Sequence, residues 1–293
     1  MTSNKATSCA LVAILIWSTV VALVRSVTTY FGPVPGAALM YSVSALILLK
    51  REKTSNFKSY PKAYLFGCGF LFVAYEILFS QAIGLAADNR QTLEIGLINY
   101  LWPCLVVLFS LPINKQKANL YLLLPGIGLA FLGIAIAMCG EEGFSPQAFW
   151  NNVLNNPVTY GMVFIAAIFW GLYCNFSKKY GEGKNAVGIF CFGTAAFLWL
   201  KFFIDGASLP VFEFFATVEL IIAGILFALS YYLWEIGIQK GNIMLVAVIS
   251  YFTPLFSTVF TSLWLGVSPT FYFWGGTMSV ILGALLCWQA TKQ

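Results

Sequence analysis

The 293-residue sequence contains no histidine, and only 9% of its residues are charged. Without histidine the commonest general base and the commonest transition-metal ligand are missing, so a Ser-His protease cannot be built. The only aspartates, Asp88 and Asp205, fall between apolar runs, which disfavours an intramembrane aspartic protease. No Walker-type glycine loop is present, so ATP-driven pumping has no phosphate cradle. The seven cysteines (Cys9, Cys68, Cys104, Cys139, Cys174, Cys191, Cys287) lie in apolar segments without paired spacing. They read as small core residues rather than disulfides or metal ligands. No catalytic residue, metal or cofactor is expected, and the chain does not read as an enzyme.

What remains is apolar. Hydrophobic residues make up 60% of the chain and the mean hydropathy is +0.83, which identifies an integral, all-α membrane protein. A spanning helix needs about 20 mostly apolar residues. Ten such runs occur, at 7–29, 33–50, 62–85, 89–111, 118–139, 158–178, 185–204, 215–239, 242–264 and 269–290. Lys5 precedes the first run, but no small-residue cleavage site follows, so that run reads as an uncleaved span. Only 140–157 leaves room for a surface helix, and its Phe149 and Trp150 suit the interface. With the N-terminus inside, all 16 Lys and Arg except Arg25, Arg90 and Lys201 fall on the cytoplasmic side. The expected orientation therefore has both termini in the cytoplasm.

The chain repeats itself. Trp17 and Trp170, Gly84 and Gly237, and Arg25 and Lys178 all stand 153 residues apart; Tyr100 and Tyr251 are 151 apart, and Gly126 and Gly133 precede Gly276 and Gly283 by 150. Residues 1–140 and 158–293 thus form two five-span repeats joined by an external linker, 141–157. An odd number of spans per repeat inverts the second copy, and inverted repeats place the substrate site near the midplane.

Both repeats carry Tyr-x-x-Pro within a span, as Asn99-Tyr100-Leu101-Trp102-Pro103 and Ser250-Tyr251-Phe252-Thr253-Pro254. Proline frees the carbonyl four residues earlier, that of Asn99 or Ser250. In hydrocarbon a free carbonyl is tolerated only against protein or a wet cavity. Both segments are expected to bend and to border a central cavity, with Pro103 and Pro254 as hinges. Trp17 and Trp170 lie mid-span, too deep for an interfacial belt. Trp17, Val21 and Arg25 share one helical face, and Trp170, Cys174 and Lys178 another. Mid-span aromatics also pack simply against neighbouring helices; a cluster with several polar tips points to a lined cavity.

Glu76 is the deepest carboxyl and admits two readings: a proton or substrate-amine site, or a protonated structural hydrogen-bonding group. Glu94 and Glu235 read as snorkelling or interface-solvated, and Arg25 as an outer-interface residue rather than a ligand. The glycine pairs Gly67/Gly69, Gly126/Gly128 and Gly275/Gly276, with Gly133 and Gly283, are expected to allow close helix approach.

Ile16-Trp17-Ser18-Thr19, Tyr75-Glu76, Asn99 to Cys104 and Ser250 to Pro254 together make the chain resemble the drug/metabolite transporter superfamily, with two EamA-type repeats. The resemblance runs end to end, and the Asn-Tyr-Leu-Trp-Pro stretch is similar to that of aromatic amino acid exporters. It implies a basket of ten helices in the bacterial inner membrane, working by alternating access to export aromatic and other neutral amino acids. The cavity residues it implies are Trp17, Tyr75, Tyr100, Trp102 and Trp170; Glu235 departs from the pattern, where an uncharged residue is expected. With Glu76, Asn99, Ser250 and Tyr251 from the reading of the residues, these form the expected substrate site. An exporter of another small metabolite or hydrophobic drug is the alternative. Expected partners are a small-molecule substrate and membrane lipid, with no nucleic acid, and the protein is expected to act as a monomer. A membrane sensor or assembly protein would need exposed interaction domains, for which the short links leave no room.

Overall fold

The computed structural model describes residues 3–52, 59–139, 145–240 and 250–291, and among these the chain is helical, without a strand. The first span is a bent pair, α1 (Ser3–Trp17) and α2 (Val20–Phe31). It is followed by α3 (Pro33–Glu52), and then by a π-helical turn, Ala63–Cys68, that leads into α4 (Gly69–Gly84). Helices α5 (Asn89–Asn99) and α6 (Trp102–Asn114) share one span, and α7 (Leu120–Ala137) closes the first half. The linker holds α8 (Pro146–Asn155), which has no buried residue and leaves Trp150 57% exposed, as an interfacial helix requires. The second half contains α9 (Pro157–Tyr180), α10 (Val187–Ile204), α11 (Phe214–Lys240), α12 (Thr253–Leu265) and α13 (Phe271–Gln289).

Eight helices are long and apolar enough to cross a membrane, and the bent pair makes nine spans among the described residues. The expected span at 242–264 is described only from residue 250, and the side chain of Glu235 also lies outside the described residues.

The spans start and stop on local signals. The Asp88 carboxylate accepts the Gln91 N–H at 2.7 Å and caps α5, and the Thr270 hydroxyl accepts the Phe273 N–H at 3.1 Å and caps α13. At the other end, Lys115 (φ 54°) and Gly266 (φ 66°) close α6 and α12 in the left-handed conformation.

Three interruptions stand out. At the first Tyr-x-x-Pro, Tyr100 N–H donates to Leu97 O at 3.1 Å and Leu101 N–H to Ile98 O at 3.0 Å, a tight turn between α5 and α6. Pro103 is the second residue of α6, where its missing N–H costs least. At the second, the Thr253 hydroxyl donates to Ser250 O at 2.6 Å. That is the carbonyl freed by Pro254, so the side chain replaces the lost backbone donor. The sharp bend lies elsewhere, 43° between α1 and α2, with no proline. There Ser18 Oγ donates to Ile14 O at 3.0 Å and Thr19 Oγ1 to Ile16 O at 2.7 Å, side-chain bonds that compete with the helical ladder. This corrects two expectations. Residues 89–114 continue as one 26-residue span through the first Tyr-x-x-Pro, and Trp17 and Arg25 stand on different helices.

Across the halves α3 pairs with α10 and α7 with α13, while α1 packs on α11 and α4 on α9. The α7–α13 contact is the closest in character to a small-residue seam. A Cβ on Gly126 would meet Gly283 O at 2.9 Å, and one on Gly133 would meet Gly276 O at 2.6 Å. Gly67, Gly128 and Gly275 face open space instead, so for them close approach is not the reason for glycine.

Candidate functional site: an aromatic cavity at mid-span

The three interruptions converge. Trp17 is the last residue of α1, Asn99 and Tyr100 stand at the α5–α6 turn, and Ser250 precedes the α12 turn. With Tyr75 and Glu76 from α4, Trp102 from α6 and Trp170 from α9, they line one cavity. Val20, Val21, Phe79, Phe227, Tyr231 and Thr253 complete its walls. All the expected substrate residues except Tyr251 therefore meet. Tyr251 is buried against Trp288, ring centroids 6.2 Å apart, away from the lining. Pro103 and Pro254 are buried directly behind the two turns.

The wall is a continuous aromatic cluster. Trp170 lies 4.7 Å from Tyr75 and stacks on Tyr173 at 5.1 Å; Trp17 meets Trp170 edge-on at 6.4 Å and Tyr231 at 5.9 Å. Trp234 sits 4.7 Å from Trp17 and half-covers it from α11. The open space is about 50 Å³, room for water, which needs about 10–15 Å³ by this measure, and too small for an indole, since benzene occupies a cavity of about 150 Å³.

Glu76 is 1% exposed and has no cationic partner among the described residues. Instead Tyr41 Oη donates to its Oε2 at 2.5 Å, and Tyr231 Oη donates to its Oε1. Two phenols on the two carboxyl oxygens satisfy this buried group without a cation and fix its place in the wall. Opposite, Asn99 is 6% exposed; its amide nitrogen reaches Tyr75 Oη only at 3.5 Å, and its Oδ1 is a buried acceptor without a partner. An unsatisfied buried acceptor at a cavity wall marks a place for an incoming donor.

Tyr41, Tyr231 and Phe227 were not legible as site residues from spacing. The signal was chemical: a mid-span carboxyl with no basic neighbour requires hydroxyl donors, and Tyr41 and Tyr231 are mid-span phenols.

Comparison with known proteins gives the family. Residues 158–289 match the model of the EamA-like transporter family. The chain is 39% identical over the full length of both proteins to the aromatic amino acid exporter YddG of Salmonella typhimurium, and equally to that of Escherichia coli. The chain belongs to the EamA-like transporter family. A third member, the aromatic amino acid exporter YddG of Ancylobacter novellus, is 30% identical over 88% of each chain. A solved crystal structure, 23% identical and covering 99% of both chains, shares the fold with a TM-score of 0.68. In this EamA-like chain the spans and the family together make a multi-pass inner-membrane transporter.

Two charged residues have other duties. Arg25 donates to Ile83 O at 3.2 Å, to Ala86 O at 2.9 Å and to Asn89 Oδ1 at 3.3 Å, closing the end of α4. Glu94 is 3% exposed, which overturns the expectation of snorkelling. It accepts from Asn152 Nδ2 at 3.2 and 3.1 Å and from Tyr160 Oη, and so ties α8 to α5 and α9.

Proposed function

We propose that the protein exports aromatic and other neutral amino acids from the bacterial cytoplasm by alternating access between two inverted halves, residues 1–140 and 158–293. The observation that carries this reading is the juxtaposition, in one mid-span cavity, of stacking rings with two acceptors for a cation. An aromatic side chain would lie among Trp17, Tyr75, Trp102 and Trp170, while the α-ammonium group would meet the Glu76 carboxylate and Asn99 Oδ1. The names of the relatives support the same substrate class. Expected absences, including catalysis and nucleic-acid binding, belong to this reading, as does action as a monomer.

The pairing of helices supports the inverted halves. Exchanging each span for its counterpart turns the α1–α11 contact into the α9–α4 contact and returns α3–α10 and α7–α13 to themselves, as a pseudo-two-fold axis requires. The concentration of basic residues in the segments expected to be cytoplasmic supports an orientation with both termini inside. Since about 50 Å³ cannot seat an indole, Trp17 and Trp170 must part for substrate to enter; the 43° bend beside Trp17 and the turns ahead of Pro103 and Pro254 are the hinges. A cell-based panel tests substrate class. Expression should confer resistance to toxic aromatic amino acid analogues, whereas resistance confined to hydrophobic drugs would favour export of drugs.

A further inference from the structure

A second, larger recess lies on the membrane-facing side of the bundle. Between the π-helical turn with α4 and the facing side of α10 runs a groove of about 960 Å³, walled by Phe66, Phe70, Val73, Ala74 and Phe197. Phe66 and Phe70 are 71% and 66% exposed, and Phe197 is 50% exposed. From Leu65 to Leu78 the wall extends roughly 20 Å at 1.5 Å per residue, longer than one leaflet of a hydrocarbon core of about 30 Å. One end carries an exposed lysine, Lys62, with no acidic partner among the described residues. Beside it, Tyr60 Oη donates to Asn185 O at 3.0 Å, bringing the loop that contains Lys184 to the same end.

We infer that this groove is a binding site for a phospholipid with an anionic headgroup, its acyl chain along α4 and α10 and its phosphate at Lys62. A bilayer offers no hydrophobic gain for protein over lipid in such a groove, and association of helices there relies on small residues that let backbones approach. Bulky phenylalanine rims are the opposite of that, so an acyl chain fits better than a second copy of the chain. The unpaired cation selects the headgroup: a basic pocket between helices near the interface attracts the anionic headgroup of a lipid. The floor of the groove is Phe190, 2% exposed and 5.6 Å from Phe72, which in turn lies 6.3 Å from Trp170 and 5.4 Å from Tyr231. The lipid therefore sits behind the aromatic wall of the substrate cavity.

Native mass spectrometry of the full chain, titrated with phosphatidylglycerol or with phosphatidylcholine of the same acyl chains, tests the site. The wild type should retain phosphatidylglycerol several-fold better. Lys62→Gln should abolish that preference and Lys62→Arg should keep it. Ala74→Phe, which fills the groove, should lower retention of both lipids. Equal retention of the two lipids by the wild type, or an undiminished preference in Lys62→Gln, would overturn the inference. So would a dimer that added lipid does not dissociate. Lys62 is exposed, so the glutamine variant tests the headgroup site even if Ala74→Phe fails to fold.

Discussion

Replacing Glu76 with Gln preserves the shape of a side chain that is 1% exposed and removes its charge. The carboxylate accepts from Tyr41 at 2.5 Å and from Tyr231. As an amide, its oxygen keeps one phenol donor while its nitrogen donates to the other phenol oxygen, so both contacts can be remade. The fold is expected to hold. What changes is the bond to the substrate ammonium, which falls from a charge-assisted bond of about 1.5 to 3 kcal/mol to a neutral one of about 0.5 to 1.5 kcal/mol. The loss of about 1 to 2 kcal/mol raises the half-saturating tryptophan concentration roughly 5- to 30-fold. The assay is concentration-dependent flux into proteoliposomes, run in parallel with indole-3-propionate, which keeps the ring and the carboxylate and lacks the ammonium. Tryptophan should show the shift and the deaminated analogue should not. An equal shift for both compounds, or none for either, would refute the role assigned to Glu76.

Replacing Gly133 with Leu should destabilise the protein by about 1 to 3 kcal/mol, because the new side chain must force apart α7 and α13 where a Cβ already meets Gly276 O at 2.6 Å. Gly128→Leu, which enters open space, should leave thermal unfolding in detergent within about 0.5 kcal/mol of wild type. Pro103→Ala and Pro254→Ala should change flux more than folded yield, since both prolines begin helices at the cavity; unchanged flux in both would count against hinges there. Asn152→Leu deprives the buried Glu94 of its amide donor, a cost of about 1 to 3 kcal/mol. It should release α8, read as faster proteolysis at 146–155, and unaltered cleavage would contradict the tie.

Most of the membrane architecture was legible because hydrocarbon imposes strong rules on sequence. Apolar length gave the spans, and matched landmarks such as Trp17 with Trp170 and Gly133 with Gly283 are the basis for the proposed inverted halves. Trp17, Trp170, Trp102, Tyr100 and Asn99 were legible as cavity residues because polar tips at that depth need partners, whereas Tyr75 came only from the family resemblance. The α1–α2 bend was not, because Ser18 and Thr19 act through hydroxyl bonds to Ile14 O and Ile16 O, and the same residue types sit unbent in other helices. Glu94 was misjudged from its distance to the span end; burial came from α8, a linker helix whose docking no periodicity encodes. The donors to Glu76 stand 35 and 155 residues away, and only tertiary structure brings them together.

Flux of tryptophan or phenylalanine by the purified wild-type chain in proteoliposomes tests the central claim most directly. The account predicts uptake well above that of empty vesicles, saturating with concentration. Uptake no faster than in empty vesicles, from correctly folded protein, would contradict it.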